Sequence, residues 1–279
     1  MSNIKNMKGK LNSKIFDVKD KVIILTGSAG KLGTNFAHIL SDAGCNVVLV
    51  DIDKGKNMRL ANLISKKYKT NPLVCTVDIT KKEELLQTSK QIIKKYRKID
   101  GLVNNAFYNP RKNLKKSATR FEEYDSDLWN EVVSVNLTGV FLCCQIFGKI
   151  MVGQKIKSSI VNISSIYGIN GADQRIYGKS ELNSPPSYAA TKGAIVNFTK
   201  YLAAHWNRKN VRVNTMTLGG VLDKSYMDKK FIEKYSQKTI LGRMANDDEY
   251  NGALMFLLSS ASSYMTGANL ILDGGWSAW

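Results

Sequence analysis

The stretch that decides the fold is Val22–Gly33, which reads VIILTGSAGKLG. A short apolar, β-branched run passes directly into a glycine-rich turn, after which a helical pattern starts. Glycines at such a turn allow a tight bend, close approach of the backbone to a pyrophosphate, and close packing of the helix on the strand. The N–H groups and positive dipole end of the following helix would face the same phosphates. The sequence therefore predicts a dinucleotide cradle after the first strand.

Short apolar runs alternate with longer helical patterns along the chain. The runs are Val22–Leu25, Val47–Val50, Leu73–Val77, Gly101–Val103, Ile160–Ile163, Val211–Met216 and Asn269–Leu272. The helical patterns are Leu32–Ala43, Met58–Tyr68, Glu83–Tyr96, Leu128–Val152, Ala189–Trp206 and Glu249–Leu258. This alternation predicts an α/β fold, a doubly wound parallel Rossmann sheet of about seven strands with helices on both faces. We expect one domain over residues 13–279, after a flexible arm at 1–12.

The composition is that of a globular, strongly basic protein. The 279 residues are 43% hydrophobic and 23% charged, with a formal net charge of +18, which excludes a disordered or collagen-like chain. No apolar run approaches the roughly 20 residues that cross a bilayer, so no membrane is expected. The charge favours anionic partners, but the lysines are spread over many segments, so no nucleic acid is expected. The four cysteines lack metal-binding spacing, which predicts buried thiols, no metal site and a cytoplasmic protein.

An acidic residue ends the second predicted strand. Asp51 lies 24 residues after Gly27, where a carboxylate can accept hydrogen bonds from ribose hydroxyls and repel a 2′-phosphate. This position favours NAD over NADP as the coenzyme. The basic residues that could instead pair with a 2′-phosphate are Lys31, Lys54 and Arg59. Asp78, which ends the third strand, is a weaker candidate for the adenine edge and could equally cap the next helix.

A tyrosine and a lysine open a long helical pattern near the middle of the chain. Tyr188 and Lys192 are four residues apart, which places them on one helix face. A nearby ammonium lowers the pKa of a tyrosine and makes it a usable proton carrier. Ser164 and Ser165 end the fifth strand, where a hydroxyl could bond a carbonyl or alcohol oxygen. Alone this spacing is a common accident, but with the cradle it predicts a catalytic site.

At these motifs the chain resembles the short-chain dehydrogenase/reductase family in its compact form, from about Phe16 to the C-terminus. The matching stretches are Phe16–Val22 leading into Thr26-Gly27, Asn104-Asn105-Ala106, Val135-Asn136, Asn162–Ser165, Tyr188 with Lys192, and Asp273–Gly275. The resemblance implies an NAD(P)-dependent oxidoreductase that acts on CH–OH and C=O groups. It also implies a homo-oligomer, a tetramer or dimer, built through the two long helices.

The resemblance also implies a role for each matched residue. Tyr188 would be the general acid/base, and Lys192 would lower its pKa and bind the nicotinamide ribose. Ser165 would position the reacting oxygen, and Asn136 would hold a water joining Lys192 to solvent. Ser165 is chosen over Ser164 because the family serine precedes x-x-Gly. The coenzyme-binding residues would be Gly27, Ser28, Gly30, Lys31, Leu32, Gly33, Asp51, Asp78, Ile79, Asn104, Asn105, Ala106, Tyr188, Lys192 and Gly219.

Three positions depart from the compact pattern. Lys31 stands where the family has its middle glycine, and Leu218 replaces the proline usual before Gly219. Phe107 replaces the glycine usual after Asn-Asn-Ala, which makes it a candidate substrate residue.

The segment between Ser165 and Tyr188 is longer than in compact members. The separation is 23 residues, so a substrate loop at about 169–187 must project near the substrate mouth. Its sequence looks like the flagellin modification protein A group, which implies nucleotide- or phospho-sugar metabolism feeding a nonulosonic acid pathway. Arg175 and Lys179 could then meet an anionic sugar, or could equally belong to a solvated surface loop.

These observations favour an NAD(H)-dependent oxidoreductase that acts on a secondary alcohol or ketone. The favoured substrate is a phosphorylated or nucleotide-activated sugar. One alternative is a reductase of other carbonyls, such as 3-oxoacyl thioesters. The other is a non-catalytic sensor that binds nicotinamide nucleotide, or holds RNA through its charge. The set Ser165, Tyr188 and Lys192 argues against a sensor, which has no use for a tuned phenol.

Overall fold

The computed structural model describes residues 13–108, 119–178, 183–225 and 227–279. The expected arm at 1–12 and Lys179 lie outside the described residues. The strands are β1 Val22–Thr26, β2 Asn46–Asp51, β3 Leu73–Thr76, β4 Gly101–Asn104, β5 Ser158–Ser165, β6 Val211–Leu218 and β7 Asn269–Leu272. The helices are α1 Lys31–Asp42, α2 Lys54–Tyr68, α3 Lys82–Tyr96, α4 Ser126–Gly153, α5 Pro186–His205, α6 Lys229–Ser236 and α7 Asn251–Leu258.

The described strands form one parallel sheet in the order β3-β2-β1-β4-β5-β6-β7. From β1 the chain winds outward through β2 and β3, then returns to place β4 on the other side of β1. The order reverses between β1 and β4, and such a switch point opens a crevice outside the carboxyl ends of the strands. The predicted doubly wound α/β sheet is confirmed.

Helices cover both faces of the sheet, because the central strands are apolar on both sides. On one face Ile24 and Val48 pack with α3, α4 and α5, and on the other face Ile23 and Leu49 pack with α1, α2 and α7. The four cysteines are free and buried, as the composition suggested. Parallel strands buried on two faces need this near-continuous apolar sequence.

Helix α4 is long and apolar, and it contains an irregular turn. By length and composition Ser126–Gly153 could cross a membrane, but half of its most apolar window is buried inside the protein. Its centre, Ser134–Gly139, is wound as a π-helix. Such turns are rare and are frequent at functional sites. Here the turn carries Asn136, one of the residues expected at the site.

Helix α6 is absent from the sequence-based prediction. Asp228 caps it by accepting a hydrogen bond from Phe231 N at 2.8 Å. The helix packs above the carboxyl edge of the sheet, in a third apolar cluster that we name the cap cluster. Its buried members are Ile166, Ile176, Tyr235, Met244 and Trp276. The cluster joins α6 to the beginning of the predicted substrate loop, because Ile176 belongs to that loop.

Candidate active site

The glycine-rich turn after β1 leaves no space for a side chain at Gly27 or Gly33. Gly27 has a φ of +63°, and a Cβ there would lie 2.6 Å from Ala106 Cα. A Cβ on Gly33 would lie 2.0 Å from the carbonyl oxygen of Gly27. Only glycine fits both positions, because one needs the left-handed region and both meet backbone. The turn is therefore a bare backbone surface that a phosphate can approach.

The start of α1 is open to an anion. Gly30 is the N-cap residue, and no side chain of the described residues caps this helix end. The first amides of α1, those of Lys31, Leu32 and Gly33, therefore retain the donor capacity and positive dipole end that bind phosphates. These amides and the glycine backbone suit a pyrophosphate, and its binding here stays a prediction.

Two side chains of the glycine-rich turn, those of Ser28 and Lys31, are engaged with other parts of the protein. The Ser28 hydroxyl donates to Asn57 Oδ1 at 2.8 Å, so any coenzyme contact of Ser28 would use its backbone. Lys31 Nζ donates to the carbonyl oxygen of Leu222 at 2.6 Å and lies 3.3 Å from Asp223 Oδ2. The lysine in place of the family's middle glycine thus reaches across the crevice to the segment after β6.

Asp51 ends β2 beside the glycine-rich turn. Its Oδ2 accepts a hydrogen bond from Ala29 N at 2.8 Å, and its Oδ1 accepts one from Asp53 N at 2.9 Å. Two amides therefore fix the orientation of a half-buried carboxylate, and each oxygen keeps a further lone pair for a ribose hydroxyl.

Asp78 and Ile79, in the loop after β3, have local roles. Asp78 Oδ1 accepts hydrogen bonds from Thr80 N at 2.9 Å and from Thr80 Oγ1 at 2.7 Å, which forms the turn into α3. Its own amide donates to Glu84 Oε2 at 2.8 Å. Ile79 is buried and packs against Gly139 in α4. Asp78 thus shapes the entry to the helix, although the N-cap position itself is Lys81.

The loop after β4 closes on the cradle through Asn105. Its Nδ2 donates to the carbonyl oxygens of Thr26 and Gly27, both at 3.1 Å, and the amides of Asn105 and Ala106 donate to Thr26 Oγ1. Asn104 differs from the expectation that its side chain binds the coenzyme. Its side chain turns into the core and donates to Asn162 Oδ1 at 2.7 Å, because successive residues of a strand point to opposite faces.

Tyr188 and Lys192 stand one turn apart near the start of α5. Pro186 is the first residue of the helix, where a missing N–H is harmless. Lys192 Nζ donates to the carbonyl oxygen of Ile163 at 2.9 Å and lies 5.7 Å from the centroid of the Tyr188 ring. Burial lowers the pKa of Lys192 to about 8. The pair predicted from spacing is therefore brought together at the end of β5.

The structure distinguishes the two serines that end β5. Ser164 is buried and donates to the carbonyl oxygen of Lys192 at 2.8 Å, which fastens α5 to the sheet. The Ser165 oxygen accepts the amide of Tyr167 at 3.3 Å, so its hydroxyl proton remains available to a ligand. This arrangement agrees with the choice of Ser165.

Asn136 holds the loop after β4 from the π-turn of α4. Its Oδ1 accepts the Tyr108 amide at 2.6 Å, and its Nδ2 donates to the Tyr108 carbonyl oxygen at 3.3 Å. The observed role is to position this loop. The water that Asn136 is expected to hold beside Lys192 stays a prediction.

Phe107 lies against Tyr188 and Lys192. Its ring centroid is 6.4 Å from that of Tyr188 in an edge-on arrangement, and Lys192 Nζ lies 5.5 Å from its centroid. The Phe107 ring is 48% exposed. Because Ala106 touches Gly27 and the next residue touches Tyr188, this loop joins the glycine-rich turn to Tyr188 and Lys192.

The described part of the substrate loop is docked on the protein. The short turn Gln174–Tyr177 packs on α6, where the rings of Tyr177 and Phe231 lie 5.4 Å apart. The Arg175 side chain is 84% exposed and forms a bidentate salt bridge with Asp173, donating from Nε at 2.8 Å and from Nη2 at 3.0 Å. Its guanidinium is thus satisfied by a carboxylate within the loop, as in the surface-loop alternative.

Two tyrosines that sequence reasoning missed hold the turn after β6. Tyr235 of α6 accepts the amide of Gly220, and Tyr250 donates to the carbonyl oxygen of Gly219 at 3.1 Å. Gly219 also packs on Asp273, because a Cβ there would lie 2.8 Å from the Asp273 Cα. The expected coenzyme residue Gly219 therefore lies in a firmly supported turn. The tyrosines lie 15 and 31 residues beyond the glycines that they contact, so no local sequence pattern signals this support.

Comparison with known proteins finds relatives along nearly the whole chain. A family profile described as enoyl-(acyl carrier protein) reductase matches residues 27–277. NAD-dependent glycerol dehydrogenase of Listeria innocua is 32% identical over 94% of this chain and 96% of its own. Post-translational flagellin modification protein A of Campylobacter coli is 32% identical, over 93% and 99%. A solved short-chain dehydrogenase from Leptospira borgpetersenii with bound NAD+ has a TM-score of 0.80 and 34% identity, covering 93% of each chain. The resemblance inferred from the motifs is confirmed.

Proposed function

The chain belongs to the short-chain dehydrogenase/reductase family, NAD(P)-dependent enzymes of CH–OH and C=O groups, and we propose that this member oxidises or reduces a sugar-like substrate with NAD(H). The observation that carries the proposal is the continuous path from cradle to proton carrier. Gly27 abuts Ala106, and the next residue, Phe107, contacts both Tyr188 and Lys192.

The described residues fit a dinucleotide along this crevice. The bare turn at Gly27 and the amides that open α1 would hold the pyrophosphate, and Asp51 would accept the adenosine ribose hydroxyls. Lys192 and the Gly219 turn would flank the nicotinamide end. When bound, the coenzyme supplies the hydride acceptor or donor for the substrate carbon.

The protein moves the proton of the reacting hydroxyl. In alcohol oxidation Tyr188 accepts that proton through its phenolic oxygen, and in carbonyl reduction it returns one. The Lys192 ammonium stabilises the phenolate, since an adjacent positive charge favours the ionised form of a tyrosine. Ser165 donates its hydroxyl proton to the reacting oxygen and fixes its distance from Tyr188.

We infer NAD rather than NADP from the surroundings of Asp51. Its carboxylate is held in place by two amides, so a 2′-phosphate would meet a fixed negative charge. Lys31, one of the cations that could have balanced such a phosphate, is engaged with Asp223 and the Leu222 carbonyl.

The substrate is proposed to be a secondary alcohol or ketone of a phosphorylated or nucleotide-activated sugar. The similarity to flagellin modification protein A and the long segment between Ser165 and Tyr188 support this class, and the net charge of +18 suits an anionic molecule. The pairing of Arg175 with Asp173 leaves that side chain a weak candidate for the anion. A reductase of 3-oxoacyl thioesters is the second candidate, favoured by the matching family profile.

The deciding experiment is a screen of sugar phosphates, nucleotide sugars, polyols and 3-oxoacyl thioesters with NAD(H) and NADP(H), followed by the absorbance of the reduced coenzyme. Turnover of a sugar with NAD(H) supports the proposal, and turnover confined to acyl substrates supports the second candidate. The Tyr188→Phe variant should still bind coenzyme and should lose at least about 100-fold in turnover. Tyr264→Phe, at a fully exposed residue, is the matched control. Coenzyme binding without turnover of any substrate would favour the sensor.

We also propose a cytoplasmic homo-oligomer, a tetramer or dimer. Helices α4 and α5 carry an aromatic surface in which the Phe141 and Phe198 rings lie 6.3 Å apart and Phe141 and Tyr201 are exposed. Exposed aromatic patches of this kind favour subunit contacts. The mass in solution, compared with that of Phe141→Lys, tests this assignment.

A further inference from the structure

The turn after β6 is packed too closely to move independently. A Cβ on Gly220 would lie 2.6 Å from Tyr235 Cζ, and the Tyr235 hydroxyl oxygen accepts the Gly220 amide. Gly219 is held from the other side, because its carbonyl oxygen accepts the Tyr250 hydroxyl. The position of α6, which carries Tyr235, therefore sets the position of this turn.

Tyr235 is fixed as firmly as the turn it holds. Its side chain is 4% exposed, and its ring lies 4.4 Å from that of Trp276. Burial raises the pKa of Tyr235, so the phenol stays neutral and accepts the amide without a charge. The same cap cluster contains Ile176 of the substrate loop.

The substrate loop is fastened to α6 by charges as well as by apolar contacts. Lys234 Nζ donates to the Arg175 carbonyl oxygen at 3.2 Å. Asp173 pairs with Lys238, just beyond α6, and with Arg175. Hydrogen bonds from these cations hold the pKa of Asp173 well below its usual range, so the carboxylate stays ionised. We name the Asp173, Arg175 and Lys238 contacts the loop clasp.

The turn also reaches the phosphate cradle. The Leu222 carbonyl oxygen accepts a hydrogen bond from Lys31 Nζ at 2.6 Å, and Asp223 Oδ2 lies 3.3 Å from the same nitrogen. The segment that follows Gly219 therefore contacts Lys31, the first residue of α1, across the crevice. A displacement of the turn would therefore move protein groups on both sides of a bound dinucleotide.

We propose that Tyr235 is a positioning residue through which the docking of the substrate loop on α6 sets the Gly219–Gly220 turn and hence the affinity for the coenzyme. This inference rests on the proposed function, because it takes the crevice to be the nicotinamide nucleotide site. Since coupling between two ligands is reciprocal, a substrate that holds the loop on α6 tightens coenzyme binding, and bound coenzyme favours the docked loop.

The test compares Tyr235→Phe, which keeps the ring and removes the acceptor of the Gly220 amide, with Asp173→Asn, which weakens the loop clasp. Dissociation constants for NAD are measured by quenching of protein fluorescence, without turnover. Each variant should raise the dissociation constant for NAD by about 5–10-fold. The double variant should raise it no further than the more affected single variant, because both substitutions break the same connection between the substrate loop and the Gly219–Gly220 turn. Tyr264→Phe should leave the constant unchanged.

A second measurement needs no coenzyme. Hydrogen exchange of the Gly220 amide should become faster in Tyr235→Phe and also in Asp173→Asn, whose substitution is distant from that amide in sequence. Failure of the wild-type protein to bind either coenzyme would overturn the proposed function, whereas normal wild-type binding would leave it standing. The positioning role is overturned if Tyr235→Phe binds NAD like the wild type, if the two substitutions multiply, or if Asp173→Asn leaves Gly220 exchange unchanged.

Discussion

The Nζ atom of Lys192 lies 5.7 Å from the centroid of the Tyr188 ring, inside the protein rather than at its surface. An ammonium in this position favours the phenolate form of its neighbour, but it has lost most of its own hydration. Burial accordingly lowers the pKa of Lys192 to about 8. The fold therefore holds Lys192 beside Tyr188 although burial disfavours the charged form of this lysine.

The first prediction concerns stability against pH. Lys192 titrates at its ordinary 10.5 in the unfolded chain and at about 8 in the fold, so between these values the unfolded chain binds more protons. The contribution of Lys192 to the free energy of unfolding must therefore rise with pH across this window. Lys192→Met should be more stable than the wild type near pH 7, by up to about 3 kcal/mol, and the difference should shrink toward pH 10. Urea unfolding at several pH values measures it, and Lys200→Met, at an exposed lysine of the same helix, should show no such trend.

The second prediction concerns the cradle. In Gly33→Ala the new methyl would lie 2.0 Å from the Gly27 carbonyl oxygen, so the turn must shift. We expect the free energy of unfolding to fall by about 1–3 kcal/mol or more, and NAD binding to weaken beyond detection by titration. The control is Gly252→Ala in α7, where the methyl meets no atom of the described residues within 4 Å and should be neutral or slightly stabilising. Equal behaviour of the two variants would contradict this assignment.

The features that the sequence predicts correctly are those written in local patterns. Apolar runs on both faces of each strand specify a parallel sheet, and the spacing of Tyr188 and Lys192 already fixes their common helix face. The choice of Ser165 over Ser164 rests on its distance from Gly168 and stays a prediction.

The features that it misses depend on where distant segments meet. Helix α6 spans only 8 residues and packs on the substrate loop rather than on the sheet, and the helical patterns found in the sequence do not include it. Asn104 and Asn105 are adjacent, and only the register of β4 against β1 shows which of them faces the crevice. Lys31 reads as a free cation until the segment at Leu222 is placed opposite it.

The third prediction concerns the choice of coenzyme. Asp51→Asn removes the negative charge that would repel a 2′-phosphate and weakens acceptance of the ribose hydroxyls. We expect kcat/KM with NAD to fall by about 10-fold, while kcat/KM with NADP stays level or rises, so that the preference narrows. Asp53→Asn is the matched control, because Asp53 caps α2 two residues later and should leave the ratio of the two values unchanged. A parallel loss with both coenzymes would mean that Asp51 only supports the Ala29 turn.

The fourth prediction concerns Phe107, whose ring centroid lies 5.5 Å from Lys192 Nζ. The face of an aromatic ring stabilises a cation by about 0.5–2 kcal/mol, so it favours the protonated form of Lys192. Phe107→Leu keeps an apolar side chain and removes this stabilisation, which must lower the pKa of Lys192. The alkaline limb of the kcat/KM profile should therefore move to lower pH by about 0.5–1 unit. Phe121→Leu, at an exposed residue outside the site, should leave the profile in place. An alkaline limb that does not move in Phe107→Leu would mean that this ring only shapes the pocket beside Tyr188.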